Sequence, residues 1–162
     1  MSIFAKATQA PEPRTKDVTP ITMLLAILFV AMALTQLFTF EDFLQLLVSF
    51  NLPFGAQGAY FIGSFVVVAE VFSLPFLLRM PLSKAFRWVS MAFSWFATLV
   101  WIKIAAWVVL TQPGAENVGF LGTLVGLTPG WWAILVAIAL AILASWATWG
   151  LWPGKRKNKV VE

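Results

Sequence analysis

One carboxylate dominates the chemistry that this sequence can support. Glu70 lies near the middle of an apolar run, Ala59 to Met80, that is long enough to cross a bilayer. A charge at the centre of a membrane helix costs at least about 2.5 kcal/mol. Gly63, Val66 and Ser73 share a helical stripe with Glu70, and small residues on such a stripe allow a neighbouring helix to approach. We therefore predict that Glu70 faces the protein interior, as a proton or ligand site or as a structural hydrogen-bonding group.

Three other residues could shape the surroundings of Glu70. Gln36, near the outer end of the first apolar run, is a candidate partner in a polar cluster with Glu70. Ser94 lies on a stripe of small residues in the third run, which predicts a packing seam against the Glu70 helix. Pro75 lacks an N–H to offer to the carbonyl of Val71, so the sequence predicts a helix kink beside Glu70.

A lysine and two tryptophans complete the set of candidate site residues. Lys103 lies about 10 Å from the end of its span, on the opposite side of the helix from Ser94. We expect its side chain to extend towards the membrane surface rather than to pair with Glu70. Trp95 and Trp101 lie deeper than the tryptophans at the span ends and are candidates to line a cavity, although core packing is the favoured role.

The composition excludes several kinds of site. The sequence has no cysteine and no histidine, which removes thiol chemistry, disulfide exchange and histidine-ligated metals. One carboxylate without a second convergent acid does not make a hydrolytic or metal site. We therefore predict no catalytic residue and no metal, and an activity as an enzyme in its own right is the least supported reading.

The elements that position these residues are membrane spans. With 60% hydrophobic and 11% charged residues, the chain has the composition of a membrane protein. A shorter stretch, Glu41–Phe50, has apolar residues at helical spacing on one side only, which predicts an amphipathic helix at the interface or over the bundle. We predict an all-α bundle of four transmembrane helices with this short helix between spans 1 and 2. The apolar runs are Pro20–Phe40, Ala59–Met80, Phe86–Leu110 and Trp131–Trp152.

The distribution of charge predicts the domains and the orientation. Residues 1–18 are expected to be a disordered tail, 19–152 one membrane domain, and 153–162 a basic tail. Lysines and arginines lie in both tails and in the loop between spans 2 and 3, whereas the other two loops have none. By the positive-inside rule both termini are cytoplasmic, in a bacterial-type inner membrane. Because the basic residues border the membrane, the net charge of +4 does not indicate nucleic-acid binding.

The order of these features resembles the DoxX/MauE-like membrane proteins. The resemblance rests on the Phe-rich segment ending in Leu52-Pro53, the span that closes in Leu74-Pro75-Phe76-Leu77-Leu78, and the outer loop Glu116–Gly122. It implies a four-helix bundle with a role in redox-enzyme maturation or quinone-linked electron transfer, with a quinone as the implied cofactor. Val118 stands where many MauE-like members carry a cysteine, so a thiol–disulfide mechanism is excluded here.

Three functions from different classes follow. The first is an accessory membrane protein that supports maturation or electron transfer in a partner enzyme. The second is a small oligomeric transporter or proton-coupled carrier that uses Glu70, and the third is a structural subunit of a membrane complex. All three place the chain in a lipid bilayer, with a membrane protein partner or as a homo-oligomer.

The predicted orientation can be tested by labelling, because there is no native cysteine. Single cysteines at Ser2, Gln57, Ser83, Asn117 and Asn158 should react with an impermeant maleimide from outside only at positions 57 and 117. Labelling of position 83 from outside would contradict the orientation.

Overall fold

The computed structural model describes residues 7–112 and 114–153, and these residues form five helices. Four of the helices are each long and apolar enough to cross a membrane. The predicted four-helix bundle is therefore confirmed, together with the short amphipathic helix between its first two spans. The helices are α1 (Val18–Phe38), α2 (Phe40–Ser49), α3 (Gly55–Leu77), α4 (Lys84–Thr111) and α5 (Trp131–Gly150).

The four spans close into a ring in the order α1, α3, α4, α5, and each span packs against two neighbours. The stripe of small residues on α3 is buried from Ala59 to Ser73, with Glu70 in the same interior face. Small residues allow the helix axes to approach here. Because lipid tails are as apolar as leucine side chains, the hydrophobic effect does not drive helices together inside a membrane, and close packing stabilises the association instead. The prediction that Glu70 faces the interior is thus confirmed.

The amphipathic helix α2 packs on the N-terminal half of α3. Phe43 and Leu47 are fully buried, whereas Asp42, Gln45 and Ser49 on the opposite side are exposed. A Cβ atom added at Gly63 of α3 would lie 2.7 Å from side-chain carbons of Leu44 and Leu47. The absence of a side chain at Gly63 therefore lets the apolar face of α2 pack directly on α3. Burial of the apolar side chains of α2 stabilises this position.

The helix α3 continues through Pro75, and a hydroxyl from α4 repairs the gap in its hydrogen bonding. Ser90 Oγ donates to the Phe72 carbonyl at 2.6 Å and accepts from the Phe76 N–H at 3.0 Å. In a regular helix these two backbone groups would pair with each other. The Ser90 side chain thus replaces one backbone hydrogen bond of α3 with two side-chain bonds. Insertion of a side chain between backbone groups in this way is a known cause of helix distortion.

The described part of the N-terminal tail crosses the end of the bundle where α3 is followed by α4. Thr8 pairs with Leu82 through two backbone hydrogen bonds, and the Arg87 guanidinium donates to the carbonyls of Thr8 and Gln9. The tail backbone supplies acceptors that the partly buried Arg87 needs, and the disorder predicted for residues 1–18 stays a prediction. Residues 1–6 lie outside the described residues, as does the predicted basic tail beyond Pro153.

The role of Ser90 predicts a stability difference between two serines of α4. Ser90→Ala should lower the free energy of unfolding by about 1–2 kcal/mol, because two buried backbone groups of α3 lose their partner. Ser94→Ala is the matched control, since Ser94 is equally buried but bonds only the Met91 carbonyl of its own helix. Unfolding in mixed detergent and dodecyl sulfate measures both variants, and equal losses would contradict the bridging role.

Candidate functional site

The candidate site is built from side chains of three spans and one loop. Glu70 of α3, Gln36 of α1 and Trp101 of α4 are each completely buried. The Phe120 carbonyl, from the loop between α4 and α5, joins them. The predicted partnership of Gln36 with Glu70 is therefore present in the structure, and Trp101 belongs to the same cluster.

The Trp101 indole is the main partner of the Glu70 carboxyl. Its Nε1–H donates to Glu70 Oε1 over 2.7 Å, whereas the Gln36 amide approaches the same oxygen at 3.5 Å. Gln36 Nε2 makes its shorter bond, 3.0 Å, to the Phe120 carbonyl. The amide of Gln36 thus links the carboxyl to the loop that covers it, and the centre of the Phe120 ring lies 4.7 Å from that of the Trp101 ring, with the two planes tilted by 36°.

Two acceptor oxygens of the cluster have no hydrogen-bond partner among the described residues. They are Glu70 Oε2 and Gln36 Oε1, and both atoms are buried. Almost all buried polar atoms in folded proteins have a partner, and an interior carboxyl is expensive to maintain in a membrane. The arrangement can hold a proton on Glu70 or accept a hydrogen bond from a small donor such as water.

The loop over the cluster is organised by Asn117. Its Oδ1 accepts from the backbone N–H groups of Gly119 and Leu127, and its Nδ2 donates to the Gly122 carbonyl. Gly119 and Gly122 both have positive φ angles, which only glycine adopts without cost. We name residues 117–127 the cover loop.

The cover loop rests closely on the end of α1. A Cβ atom at Gly122 would lie 2.6 Å from Thr39 Oγ1 and 3.1 Å from the Gln36 Cα. The Thr39 hydroxyl also accepts from the Thr123 N–H at 3.2 Å. This contact holds the Phe120 carbonyl against Gln36 and closes the outer side of the cluster.

The other candidate residues lie outside this cluster. The Ser94 hydroxyl bonds its own helix, and the Trp95 indole donates to Thr148 Oγ1 of α5 at 3.0 Å. Trp95 therefore joins α4 to α5, and its predicted place in a cavity wall stays a prediction. Lys103 is exposed on the outside of α4, as the sequence analysis expected. The described residues contain no group of three potential metal ligands.

Sequence reasoning missed the cover loop and the Trp101 bond. Antiparallel alignment of the second and third spans places Glu70 level with Phe96, five residues before Trp101. The length of the glutamate and tryptophan side chains bridges this difference of about 7 Å along the axis. The signal for the loop was Asn117 followed by two spaced glycines, a pattern typical of side-chain-capped turns.

Asn117, proposed above as a labelling position, is buried in the structure, whereas the preceding residue is exposed. Asn117 is 8% exposed, and its side chain holds the cover loop together. A cysteine at this position would therefore disturb the loop and react poorly. Glu116, the preceding residue, is exposed and serves as the reporter instead.

The glycines of the cover loop supply a test of its packing. Gly122→Ala should lower the melting temperature and speed amide hydrogen exchange at Val118 and Leu127, because the new methyl group meets Thr39 in a left-handed conformation. Gly126→Ala is the matched control, since nothing lies within 4 Å of a Cβ atom there. Equal exchange in the two variants would show that the loop does not depend on this contact.

Comparison with known proteins adds no assignment to this site. No family model matches the chain, and neither a curated protein nor a solved structure matches it significantly. The resemblance to DoxX/MauE-like proteins therefore stays a prediction that rests on the residues quoted for it.

Proposed function

We propose that this protein is an integral membrane accessory protein that supports the maturation or electron transfer of a partner redox enzyme through Glu70. The observation that carries the proposal is the interior carboxyl with one bonded and one unpartnered oxygen, beside a second unpartnered oxygen on Gln36. A bundle that served only as packing would gain by replacing these groups with apolar ones. Glu70 is accordingly the proton-holding group of the proposed function.

The need for a partner follows from the surroundings of Glu70. The carboxyl is enclosed by α1, α3, α4 and the cover loop, and a single acid without a second catalytic group does not make an active site. We propose that the partner resides in the same bacterial-type inner membrane and that both termini of this chain are cytoplasmic. The count of basic residues in the loops supports this orientation.

A quinone does not fit the cluster in its described conformation. The two unpartnered oxygens could accept hydrogen bonds from quinol hydroxyls, but a ring needs space beside them. Three cavities of about 620, 640 and 580 Å³ lie elsewhere on the described chain, and none of them is lined by Glu70, Gln36 or Trp101. The proposal therefore assigns a proton, and no quinone, to this site.

The proton-coupled carrier is the second candidate, because it would use the same unpartnered carboxyl oxygen. Purification in a mild detergent separates the two functions. A stoichiometric oxidoreductase that copurifies with the chain supports the accessory role. Homo-oligomers alone would support the carrier, and a fixed complex without a redox enzyme would support a structural subunit.

Two substitutions at Glu70 test whether the carboxyl acts beyond packing. Glu70→Gln keeps the size and the hydrogen-bond acceptor for Trp101, so it should melt close to the wild type and yet abolish the activity or maturation of the partner enzyme. Glu70→Leu should in addition lower stability by about 1–2 kcal/mol, because the Trp101 N–H loses its acceptor.

The control for both variants is Ser94→Ala, which alters a buried polar residue outside the cluster. It should leave the activity of the partner enzyme unchanged. Thermal melts of each protein beside a complementation assay provide the two readouts. A fully active Glu70→Gln variant would leave the carboxyl a structural role only.

A further inference from the structure

Lys103 is a charged residue on the lipid-facing side of a membrane span. Its side chain is exposed between Ile102 and the buried Ile104, on the outer half of α4. Within the described residues its ammonium group has no hydrogen bond and no ion pair with a carboxylate. A cation that faces lipid without a protein partner is costly, so such residues usually mark a specific function.

The tryptophans of α4 give the depth of Lys103. Trp88 and Trp107 lie 19 residues apart, about 28 Å along the helix, which is close to the thickness of the hydrocarbon core. Tryptophans concentrate at the two membrane surfaces. Lys103 is one helical turn inside Trp107, about 6 Å. An extended lysine side chain covers this distance, so its ammonium group reaches the level of the lipid phosphates.

An apolar groove lies beside Lys103 on the same face of the bundle. It has a volume of about 640 Å³ and runs between α4, α3 and the turn that precedes α3. Its walls include Ile62, Val100 and Leu110, and Lys103 is the one charged residue among its lining residues in the described chain. The volume falls within the range of about 300–1,000 Å³ that is usual for small-molecule sites.

The turn at the end of the groove is held in an unusual conformation. Phe54 has a φ angle of 73°, and its side chain is 91% exposed. A left-handed conformation is uncommon for a bulky residue and points to a functional constraint. Trp107 and Gln112 of the α4 end hold the chain just before this turn, because both side chains donate hydrogen bonds to the Phe50 carbonyl. The Phe54 ring thus forms an apolar wall that the chain itself leaves uncovered.

We propose that this groove and Lys103 form a binding site for one anionic phospholipid. An acyl chain lies in the groove against Phe54 and α4, and the Lys103 ammonium pairs with the phosphate of the same molecule. The shape of the site fits a ligand with a long apolar part and a negative group at its surface end. The site is independent of the proposed function of Glu70, which lies inside the bundle.

The charge of the site selects among lipids. A zwitterionic lipid carries its own cation next to the phosphate, which competes with Lys103, whereas an anionic lipid such as phosphatidylglycerol has none. One lysine near an anionic membrane surface contributes a preference that corresponds to about fivefold in binding. The Lys103 ammonium group therefore favours an anionic head group. Contact between the acyl chain and the apolar groove keeps the lipid bound.

Native mass spectrometry after reconstitution tests the site. The full chain is placed in vesicles of equal parts phosphatidylglycerol and phosphatidylcholine with matched oleoyl chains, then extracted in mild detergent. We expect one retained lipid per chain, enriched about fivefold in phosphatidylglycerol. Lys103→Met should lose this enrichment and still fold, because the change removes a charge from a lipid-facing position.

Two further variants separate the parts of the site. Lys84→Met, at the other end of α4 and outside the groove, should retain the lipid as the wild type does. Ala106→Leu narrows the groove while it leaves Lys103 in place, so it should reduce the total lipid retained. A loss of phosphatidylglycerol enrichment in Lys84→Met equal to that in Lys103→Met would overturn the proposal, because the attraction would then be a general surface effect.

Two other results would also overturn it. A wild-type protein that retains both lipids in the ratio of the vesicles has no selective site. A wild-type dimer that Lys103→Met separates into monomers would assign Lys103 to a carboxylate on a second copy of the chain. Selective retention that depends on both Lys103 and Ala106 supports the lipid site.

Discussion

The hydrogen bond from the Trp101 indole to the Glu70 carboxyl is the interaction on which the interior of this bundle depends. It joins α3 to α4 at a point where both side chains are completely buried. Without it, a carboxyl in the middle of a membrane protein would have only the distant amide of Gln36. The cost of an unsatisfied carboxyl in a medium of low dielectric constant therefore constrains how α3 and α4 can pack.

The same constraint explains two other features of the fold. Pro75 interrupts the backbone bonding of α3 within the membrane, and the Ser90 hydroxyl supplies both a donor and an acceptor at the gap. The irregular cover loop pairs its own backbone groups through the side chain of Asn117. Backbone groups in a membrane protein must find partners within the protein, because lipid offers none. The side chains of Ser90 and Asn117 thus pair with backbone N–H and carbonyl groups that regular helix hydrogen bonding would leave without partners.

Two charged residues in the spans illustrate opposite solutions to the same cost. Glu70 is directed inward, where an indole and an amide surround it and the cover loop excludes lipid. Lys103 is directed outward, near enough to the membrane surface for its long side chain to reach the lipid head groups. The difference follows from the side chains, since a glutamate is too short to extend to the surface from the middle of a span. Among the described residues, Glu70 and Lys103 form no ion pair with each other.

The sequence by itself determined the helices and the inward direction of Glu70. Apolar runs of about 20 residues, the one-sided apolar pattern of α2 and the small residues around Glu70 are local properties. The hydrophobic effect turns the apolar runs into spans, and the small residues allow close packing around Glu70. It did not determine which groups meet Glu70. Gln36, Trp101 and the Phe120 carbonyl come from three separate parts of the chain, and their meeting depends on the relative axial positions of the helices. Gly122 packs the cover loop against the end of α1 and Gly63 packs α2 against α3, and at either position a single methyl group would change the distance between elements. Local sequence patterns do not contain that information, because steric fit between distant segments exists only in the folded bundle.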